Sequence, residues 1–220
     1  MGAKQLKVKV ISAKLGNEFI KENHYSGKVA PNSQLHFGVY FNGGLHGVMQ
    51  YGPSINKKGT KNLVEGTGMY EFVELNRMAF DDVLPKNSES RAIAVTLKLI
   101  KKQAPHIKWV ISFADATSCG DGAIYRTSGF KLVGVAKNTA LRENPETGEV
   151  MHTIQAYHKN LTKEFKAYKP LVGFQIKYIY FIDKGCEARL TVPILPFSYL
   201  DEVGARMYKG KKLSTGQLET

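Results

Sequence analysis

Cysteine is scarce in this sequence of 220 residues, which contains only Cys119 and Cys186. Two cysteines far apart in the chain do not make a disulfide scaffold, and they are too few for a four-thiolate zinc site. Long hydrophobic runs are also absent, since no apolar segment approaches the roughly 18 residues of a membrane-spanning helix. The first residues do not resemble a secretory signal. These absences predict a cytoplasmic protein with reduced thiols.

Acidic residues are outnumbered by basic ones, 19 against 31, which leaves a net charge of +12. A basic excess of this size favours a polyanionic partner, most often nucleic acid. The hydrophobic share of 43% is typical of a folded protein. Lys57, Lys58 and Lys61 lie in the polar segment 53–68, which is predicted to be a loop that contacts phosphates.

The pattern of apolar and polar residues predicts a chain of mixed α and β structure. The turn Asn42-Gly43-Gly44 is predicted to join two strands into a hairpin, because Asn-Gly readily adopts the positive φ angles of a two-residue turn. Helices are predicted over 15–23, over 122–128, and from a cap at Asn87-Ser88 to Lys101-Lys102. Strands are predicted over 5–11, 34–41, 45–51, 69–76, 108–114, 130–135, 149–157 and 173–182.

No internal repeat and no linker interrupts these predicted elements. We therefore expect a single domain over residues 1–203. From about residue 204 the composition becomes polar and basic, which predicts a flexible tail over 204–220.

The central strands and helices, from residue 69 to 135, suit the binding of an anionic group. A helix that follows a buried strand presents its first N–H groups beyond the strand end, where they bind phosphates or oxyanions. The next strand ends at Asp115, and a short helix follows with Tyr125-Arg126-Thr127-Ser128-Gly129-Phe130. This order resembles the GNAT acyltransferase superfamily. The resemblance covers about residues 34–135 and implies an α+β fold with a mixed, mostly antiparallel central sheet flanked by helices.

One segment departs from the superfamily pattern. GNAT proteins bind the pyrophosphate of acyl-coenzyme A with a glycine-rich loop, but the matching stretch here is Leu84-Pro85-Lys86-Asn87-Ser88-Glu89-Ser90-Arg91-Ala92. Glycines let the backbone approach a phosphate closely. Their absence favours an unconventional group donor over standard coenzyme A binding.

Several linked motifs are more specific than the GNAT pattern alone. In chain order they are His24-Tyr25-Ser26-Gly27-Lys28, Glu74-Leu75-Asn76-Arg77, the segment 84–91, Phe113-Ala114-Asp115, Tyr125-x-x-x-Gly-Phe, Tyr178-Ile179-Tyr180-Phe181 and Pro193-Ile194-Leu195-Pro196-Phe197. Together they are similar to the Mom family over about residues 19–198. Mom proteins are phage-encoded, GNAT-like enzymes that convert adenine in DNA to N6-carbamoylmethyladenine and so shield the phage genome from restriction. The resemblance implies that double-stranded DNA is the partner and that the protein acts inside an infected bacterium, as a monomer or homodimer.

The resemblance also implies catalytic roles for four residues. His24 is expected to be a base or an orienting group, and Tyr25 a hydrogen-bonding or stacking partner. Asp115 is expected to orient the target amine or to bind a metal. Tyr125 is expected to act as an acid or to stabilise the electrophile.

Three further sets of residues complete the predicted site: the resemblance implies the donor-binding and metal-binding sets, and the polar segment 53–68 supplies three lysines of the DNA-binding set. The donor-binding set is Arg77, Asn87, Ser88, Ser90 and Arg91. The DNA-binding set is Lys28, Lys57, Lys58 and Lys61. Mom-like proteins are associated with iron, and the oxygen atoms of Tyr40, Asp115 and Tyr125 are expected to hold Fe2+ if a metal binds.

The implied reaction makes clear chemical demands. The N6 amine of adenine is a poor nucleophile because its lone pair is delocalised into the ring, so an enzyme must polarise or deprotonate it. In a duplex the base must also be extruded. The carbamoylmethyl group attaches through a methylene, which leaves the donor open between acetyl-coenzyme A and a glycyl-type donor. Two other functions remain open: a GNAT acyltransferase acting on an amine of a protein, an aminoacyl group or a small molecule, and a non-catalytic DNA-binding module.

Overall fold

The computed structural model describes residues 3–117, 120–208 and 211–212, and within these ranges it contains three sheets, seven α-helices and two 3-10 helices. The strands are β1 (Lys7–Val10), β2 (Leu35–Phe41), β3 (Gly44–Gly52), β4 (Phe72–Phe80), β5 (Trp109–Asp115), β6 (Lys131–Asn138), β7 (Leu141–Glu143), β8 (Val150–His152), β9 (Lys169–Pro170), β10 (Gly173–Phe181), β11 (Met207–Tyr208) and β12 (Lys211–Lys212). The helices are α1 (Ala13–Asn23), α2 (Lys57–Lys61), α3 (Ser88–Gln103), α4 (Ala123–Thr127), α5 (Thr153–His158), α6 (Thr162–Phe165) and α7 (Tyr199–Glu202). Short 3-10 helices cover Ala3–Gln5 and Lys184–Arg189.

The main sheet has seven strands in the order β1-β2-β3-β4-β5-β10-β6. Strands β1 to β4 are antiparallel neighbours, whereas β4 and β5 run parallel. The β4–β5 register runs from Phe72 opposite Trp109 to Glu74 opposite Ile111. Among the described residues no pair follows Glu74, although both strands continue, so the two strands separate there. The predicted mixed, mostly antiparallel sheet is confirmed.

An irregularity in β4 lies just beyond this point. Gln50 of β3 pairs with Arg77, but Tyr51 pairs with Leu75, which leaves Asn76 as an extra residue on β4. Such a β-bulge bends a strand and redirects the side chain of the extra residue. The bulge therefore controls where Asn76 and its neighbours point.

Aromatic packing fixes the start of β4 against β5. The rings of Phe72 and Trp109 are stacked, with centroids 4.4 Å apart and an angle of 6° between their planes. The indole N–H of the fully buried Trp109 donates to the Thr67 hydroxyl at 3.2 Å. Because a buried tryptophan normally needs such a hydrogen-bond partner, this contact holds the strands firmly up to the point of separation.

Strands β2 and β3 form the hairpin that the sequence predicts. Asn42 and Gly43 adopt φ angles of 49° and 90°, which Asn and Gly tolerate better than other residues. Helix α1 packs against this hairpin and against β4, where its Phe19 and Ile20 pack with Val48 of β3 and Ala79 of β4. The hairpin and α1 together support the loop that follows α1.

The chain divides into two compact units. The first comprises Met1–Phe113, Ala123–Val133 and Lys177–Pro196, and the second comprises Ala114–Gly122, Gly134–Ile176 and Phe197–Thr220. Nearly all of the excess positive charge falls on the residues of the first unit. The second unit contains a small sheet in the order β8-β7-β9, and its own core includes Met151, Ala156 and Phe165. The expectation of one domain over 1–203 stays a prediction.

Two predicted elements are wrong. The segment 53–68, predicted as a loop, contains α2, which begins because the Asn56 side chain accepts a hydrogen bond from the Gly59 N–H at 3.1 Å. In the segment predicted as one strand over 149–157, the strand ends at His152 and the helix α5 begins at the next residue. There the Gln155 side chain accepts from the His152 N–H at 2.9 Å, half of a capping box, which favours a helix over an extended chain.

Two short strands lie within the segment that was predicted to be a flexible tail, and the flexibility of residues 204–220 stays a prediction. Met207 and Tyr208 of β11 pair antiparallel with Lys212 and Lys211 of β12, while residues 209–210 and 213–220 lie outside the described residues. Cys186 is a buried thiol, and Cys119 lies outside the described residues. Within the described ranges no helix combines the length and the apolarity that a bilayer crossing requires.

Candidate active site

Two sequence motifs that are far apart in the chain meet at Arg77. The Arg77 Nε–H donates to the carbonyl oxygen of Lys28 at 3.0 Å, across 49 residues of sequence, and a terminal N–H donates to the Asn76 carbonyl at 2.7 Å. We call the residues around this contact the Arg77 cluster: His24, Ser26, Ser54, Glu74, Asn76 and Arg77. All six belong to the first unit, and three of them lie on β4 where it separates from β5.

His24 is held as a neutral imidazole. It follows the last residue of α1, and its Nδ1 accepts a hydrogen bond from the Ser26 N–H at 3.2 Å and lies 2.8 Å from the Ser26 hydroxyl. Burial and the positive charge of Arg77 lower the pKa of His24 from 6.5 to about 4. Since Nδ1 is an acceptor, the proton of the neutral ring sits on Nε2. His24 therefore offers an N–H donor at neutral pH.

Glu74 is the acidic member of the cluster. Burial raises the pKa of its carboxyl above the usual 4.5, although hydrogen bonds with Ser54 and Asn76 and the charge of Arg77 oppose the rise. A partly buried carboxylate with a raised pKa beside a cation is a good candidate for a general base. Sequence reasoning gave Glu74 no role. The available signal was a charged residue within the strand predicted over 69–76.

Close backbone packing supports the Glu74 end of the cluster. Gly52 pairs with Glu74 in the sheet. A Cβ atom at Gly52 would overlap the Asn32 carbonyl oxygen and would lie 2.8 Å from the Asn76 side-chain oxygen. That oxygen also accepts from the Ser33 hydroxyl at 3.2 Å. Glycine at position 52 therefore permits the loop of residues 30–33 to approach the bulge and fix Asn76.

An exposed aromatic ring lies beside the Arg77 cluster. The side chain of Tyr25 is 57% exposed, and its ring centroid lies 4.3 Å from that of His24, with an angle of 33° between the planes. Tyr25 is the second residue after α1, next to the C-cap residue His24, so the end of the helix positions it. Together the two rings form an accessible stacking surface next to a neutral N–H donor.

A separate cleft opens at the N-terminus of α3. It has a volume of about 410 Å³ and is lined by Phe80, Asp81, Asp82, Leu84, Pro85, Lys86, Asn87, Ser88, Glu89, Ser90, Ala123, Ile124 and Thr127. Asn87 has the left-handed backbone conformation (φ 71°) that a glycine would otherwise supply, and its side chain makes no cap. Ser88 instead donates to the Pro85 carbonyl. The predicted cap at Asn87-Ser88 is therefore wrong in detail, although the helix begins where it was expected.

The structure separates the predicted donor-binding residues. Asn87, Ser88 and Ser90 line the cleft, and Arg91 lines an adjacent groove of about 830 Å³. Arg77 lies instead in the Arg77 cluster, about 10 Å along β4 from the Phe80 end at the cleft. Three carboxylates, those of Asp81, Asp82 and Glu89, line the cleft as well.

The two remaining catalytic predictions fall in different units. Tyr125, on α4 in the first unit, is 8% exposed and packs against Phe130 and Tyr178, with ring centroids 5.4 and 5.3 Å apart. Asp115, the last residue of β5, belongs to the second unit, and its carboxylate accepts from the Thr117 N–H at 2.9 Å. A common role for Asp115 and Tyr125 stays a prediction.

The predicted metal ligands do not converge. Tyr40 lies on β2, where the Lys9 ammonium is 5.4 Å from its ring centroid. Tyr125 packs on Tyr178 of β10, and three strands separate β2 from β10 in the sheet, which corresponds to about 19 Å. Among the described residues no three His, Cys, Asp or Glu side chains form a metal-binding group. The donor set of Tyr40, Asp115 and Tyr125 therefore does not fit a shared iron.

Three of the four predicted DNA-binding lysines lie in the connection between β3 and β4, and the fourth, Lys28, follows α1. Lys57, Lys58 and Lys61 belong to α2, and the Lys57 ammonium lies 3.9 Å from the ring centroid of Tyr70, which is 77% exposed. Lys28 is exposed, and its carbonyl binds Arg77. Basic side chains and an exposed ring thus occur on the same unit as the Arg77 cluster.

Known proteins resemble this chain in both sequence and fold. The model of the Mom protein family matches residues 5–199. The methylcarbamoylase Mom of Escherichia phage Mu is 40% identical over 138 residues, which are 63% of this chain and 57% of the relative. The match thus spans little more than half of the relative's length.

Two solved structures illustrate the similarity in fold. An N-acetyltransferase from Staphylococcus aureus Mu50 is 11% identical, covers 81% of this chain and 99% of its own, and has a TM-score of 0.50. The ribosomal-protein-S18-alanine N-acetyltransferase from Escherichia coli is 10% identical over 81% of this chain and 94% of its own, with a TM-score of 0.47. The likeness to the first of these agrees with the predicted GNAT-like fold. Since the family model covers most of the sequence, the chain belongs to the Mom protein family.

Proposed function

We propose that this protein is a transferase that converts adenine in double-stranded DNA to N6-carbamoylmethyladenine and thereby protects phage DNA from restriction. Membership of the Mom family and similarity to the phage Mu methylcarbamoylase support the proposal. The observation that carries it is the meeting of the His24–Lys28 and Glu74–Arg77 segments at Arg77, which joins a neutral imidazole, a carboxyl of raised pKa and an exposed tyrosine.

Glu74 is proposed to be the general base. The N6 amine attacks the carbonyl carbon of the glycyl donor: the N6–C bond forms, the bond between the carbonyl and its carrier breaks, the carrier leaves with the electron pair, and a proton of the amine passes to Glu74. The resulting N6-glycyladenine contains the same atoms as N6-carbamoylmethyladenine, and an isomerisation in which the glycyl amine replaces the amide nitrogen at C6 of adenine completes the conversion. A carboxylate whose pKa burial has raised accepts that proton more readily than an exposed one would. Arg77 stays positively charged beside Glu74 and keeps the carboxyl ionised often enough to act.

Tyr25 and His24 are proposed to hold the extruded adenine. The exposed ring of Tyr25 can stack on the purine, as aromatic side chains do with unpaired bases. The Nε2–H of neutral His24 can donate to a ring nitrogen of the base and so orient the N6 amine. A protonated histidine would add a charge beside Arg77, and the low pKa of His24 prevents this at neutral pH.

The group donor is proposed to bind in the cleft at the N-terminus of α3. The helix dipole favours a carbonyl oxygen or an anion at this end. Three carboxyl groups, those of Asp81, Asp82 and Glu89, outnumber the single cation Lys86 in the lining of the cleft, which favours a glycyl-type donor with a free amine over a diphosphate such as that of acetyl-coenzyme A. Asn87, Ser88 and Ser90 would then contact the donor.

Nucleoside analysis of DNA from expressing cells tests this function. DNA from bacteria that produce the protein is digested to nucleosides and examined by mass spectrometry, with the Glu74→Gln variant as the inactive control. A deoxyadenosine that carries the added mass of a carbamoylmethyl group is expected only with the unchanged protein. Unmodified DNA from cells that contain folded protein would contradict the proposal, and acylation of a protein or small amine in the same cells would point to a different acyltransferase.

Replacing Lys57, Lys58 and Lys61 together by alanine is expected to weaken DNA binding to a similar extent for all sequences. Each phosphate that a lysine neutralises contributes about 0.9 to the slope of log affinity against log salt concentration, so the slope should become shallower by about 2 to 3. The control is alanine replacement of Lys98, Lys101 and Lys102, three exposed lysines on α3. An unchanged slope in the first variant, measured by fluorescence anisotropy, would refute the phosphate contacts.

A further inference from the structure

Ile55 is a large apolar side chain that the fold leaves almost entirely in solvent. It is 92% exposed, more than the other exposed apolar residues described, such as Tyr70 at 77% and Val172 at 71%. A single exposed aliphatic residue is common on protein surfaces. What distinguishes Ile55 is the rigidity of its loop and the nature of its neighbours.

Hydrogen bonds on both sides hold the Ile55 loop, residues 53–56. The Asn32 side chain donates to the Pro53 carbonyl, and the hydroxyls of Ser54 and Thr60 lie 3.1 Å apart. On the other side, the Asn56 side chain caps α2 by accepting from the Gly59 N–H. Ile55 therefore projects from a fixed position and loses little backbone entropy if it inserts into a partner.

The Ile55 loop connects the Arg77 cluster to the basic helix. Ser54 is 6% exposed and lies two residues after Gly52, which pairs with Glu74, the proposed general base, and the Ser54 hydroxyl helps to stabilise the Glu74 carboxylate. Two residues after Ile55 the chain enters α2 with Lys57 and Lys58. In the chain, Ile55 therefore lies between Ser54, next to the proposed general base, and the lysines proposed to contact phosphates.

We propose that Ile55 enters the base stack of duplex DNA and fills the space that the extruded adenine leaves. This inference rests on the proposed function and adds the residue that holds the DNA open. An aliphatic side chain suits the gap because it can contact the faces of the neighbouring base pairs without burying an unpaired polar group. The lysines of α2 would hold the backbone beside the gap while the adenine stacks on Tyr25.

Comparison of duplex and single-stranded substrates tests this role. Ile55→Ala is expected to lower kcat/KM on duplex DNA by about tenfold or more, because the cost of unstacking is no longer offset. On single-stranded DNA of the same sequence the variant should match the unchanged protein, since no stack has to be opened. Val10→Ala serves as the control, because Val10 is 65% exposed but lies on the edge strand β1. Ile55→Leu should retain activity on both substrates.

Base extrusion can also be observed directly. A duplex with 2-aminopurine at the modified position should increase in fluorescence when the unchanged protein binds, and the increase should be much smaller with Ile55→Ala. Equal loss on duplex and single-stranded DNA, or an unchanged fluorescence response, would overturn the wedge role. If the unchanged protein modifies neither substrate, the proposed function itself fails, and this outcome is distinct from a failure of the wedge.

Discussion

Glu74→Gln is expected to reduce adenine modification by at least about 100-fold, the usual contribution of a positioned general base. Glutamine has nearly the same shape and can keep the hydrogen bonds with Ser54 and Asn76, but it cannot accept the proton from the N6 amine. The loss should appear in the rate constant of the chemical step, measured under single-turnover conditions, with DNA affinity little changed. The modified nucleoside, quantified by mass spectrometry, is the measurement.

The Glu74→Gln substitution should not lower the stability of the folded protein, although it lowers the activity. Because burial raises the pKa of Glu74 in the folded state above its unfolded value near 4.5, the folded protein binds the proton more tightly than the unfolded chain does. The extra stability is present below the unfolded pKa and is lost as the pH rises through the raised value. At neutral pH the ionised carboxylate thus destabilises the fold, and Glu74→Gln should melt at the same temperature or slightly higher. Below pH 4 the two proteins should converge.

The pH dependence of the reaction provides an independent check. Activity of the unchanged protein should fall as the pH drops through the raised pKa of Glu74, and the residual activity of Glu74→Gln should lack this dependence. Glu65→Gln, at an exposed position, is the matched control and should leave rate and stability unchanged. If Glu74→Gln lost activity only in proportion to a loss of folded protein, or retained full activity, Glu74 would not be the base.

Local sequence patterns predict most of the helices and strands of the first unit. The hairpin of β2 and β3 follows from the positive φ angles that Asn42 and Gly43 adopt, and α1 follows from the helical pattern over 15–23. The helix begins slightly earlier than predicted, where the Ser12 side chain accepts from the Leu15 N–H at 3.3 Å. Each signal operates within a few residues. Family motifs then indicated which segments carry the chemistry, and His24 and Arg77 were selected in that way.

The grouping of the site residues could not be predicted from local patterns. Arg77 was assigned to the donor, but its guanidinium binds the Lys28 carbonyl because the β-bulge at Asn76 shifts the register of β4 by one residue. A one-residue shift reverses which face of the sheet a side chain occupies. Glu74 was overlooked for a related reason: its raised pKa depends on burial that only the assembled sheet creates.

Arg77→Met is expected to lower adenine modification about as severely as Glu74→Gln does. Unlike Glu74→Gln, it should also lower the stability of the fold and raise the pKa of His24. Removing the guanidinium leaves the carbonyls of Lys28 and Asn76 without their donors, which should cost about 1–3 kcal/mol of stability. Arg142→Met is a matched control, because Arg142 also donates to two backbone carbonyls, those of Lys166 and Tyr168, at 2.9 and 3.3 Å. The control should lose comparable stability and keep its activity.

The titration of His24 separates an electrostatic role of Arg77 from a purely structural one. In the unchanged protein the pKa of His24 is about 4, below its unfolded value of 6.5, so stability is lost as the pH falls from 6.5 towards 4. Without the neighbouring cation the pKa should rise, although burial still holds it below 6.5, and this loss of stability should become smaller. Arg77→Lys should keep the pKa low while failing to restore the two-carbonyl contact. NMR titration of the imidazole protons measures the change, and a His24 pKa that stays near 4 in Arg77→Met would show that burial alone keeps the ring neutral.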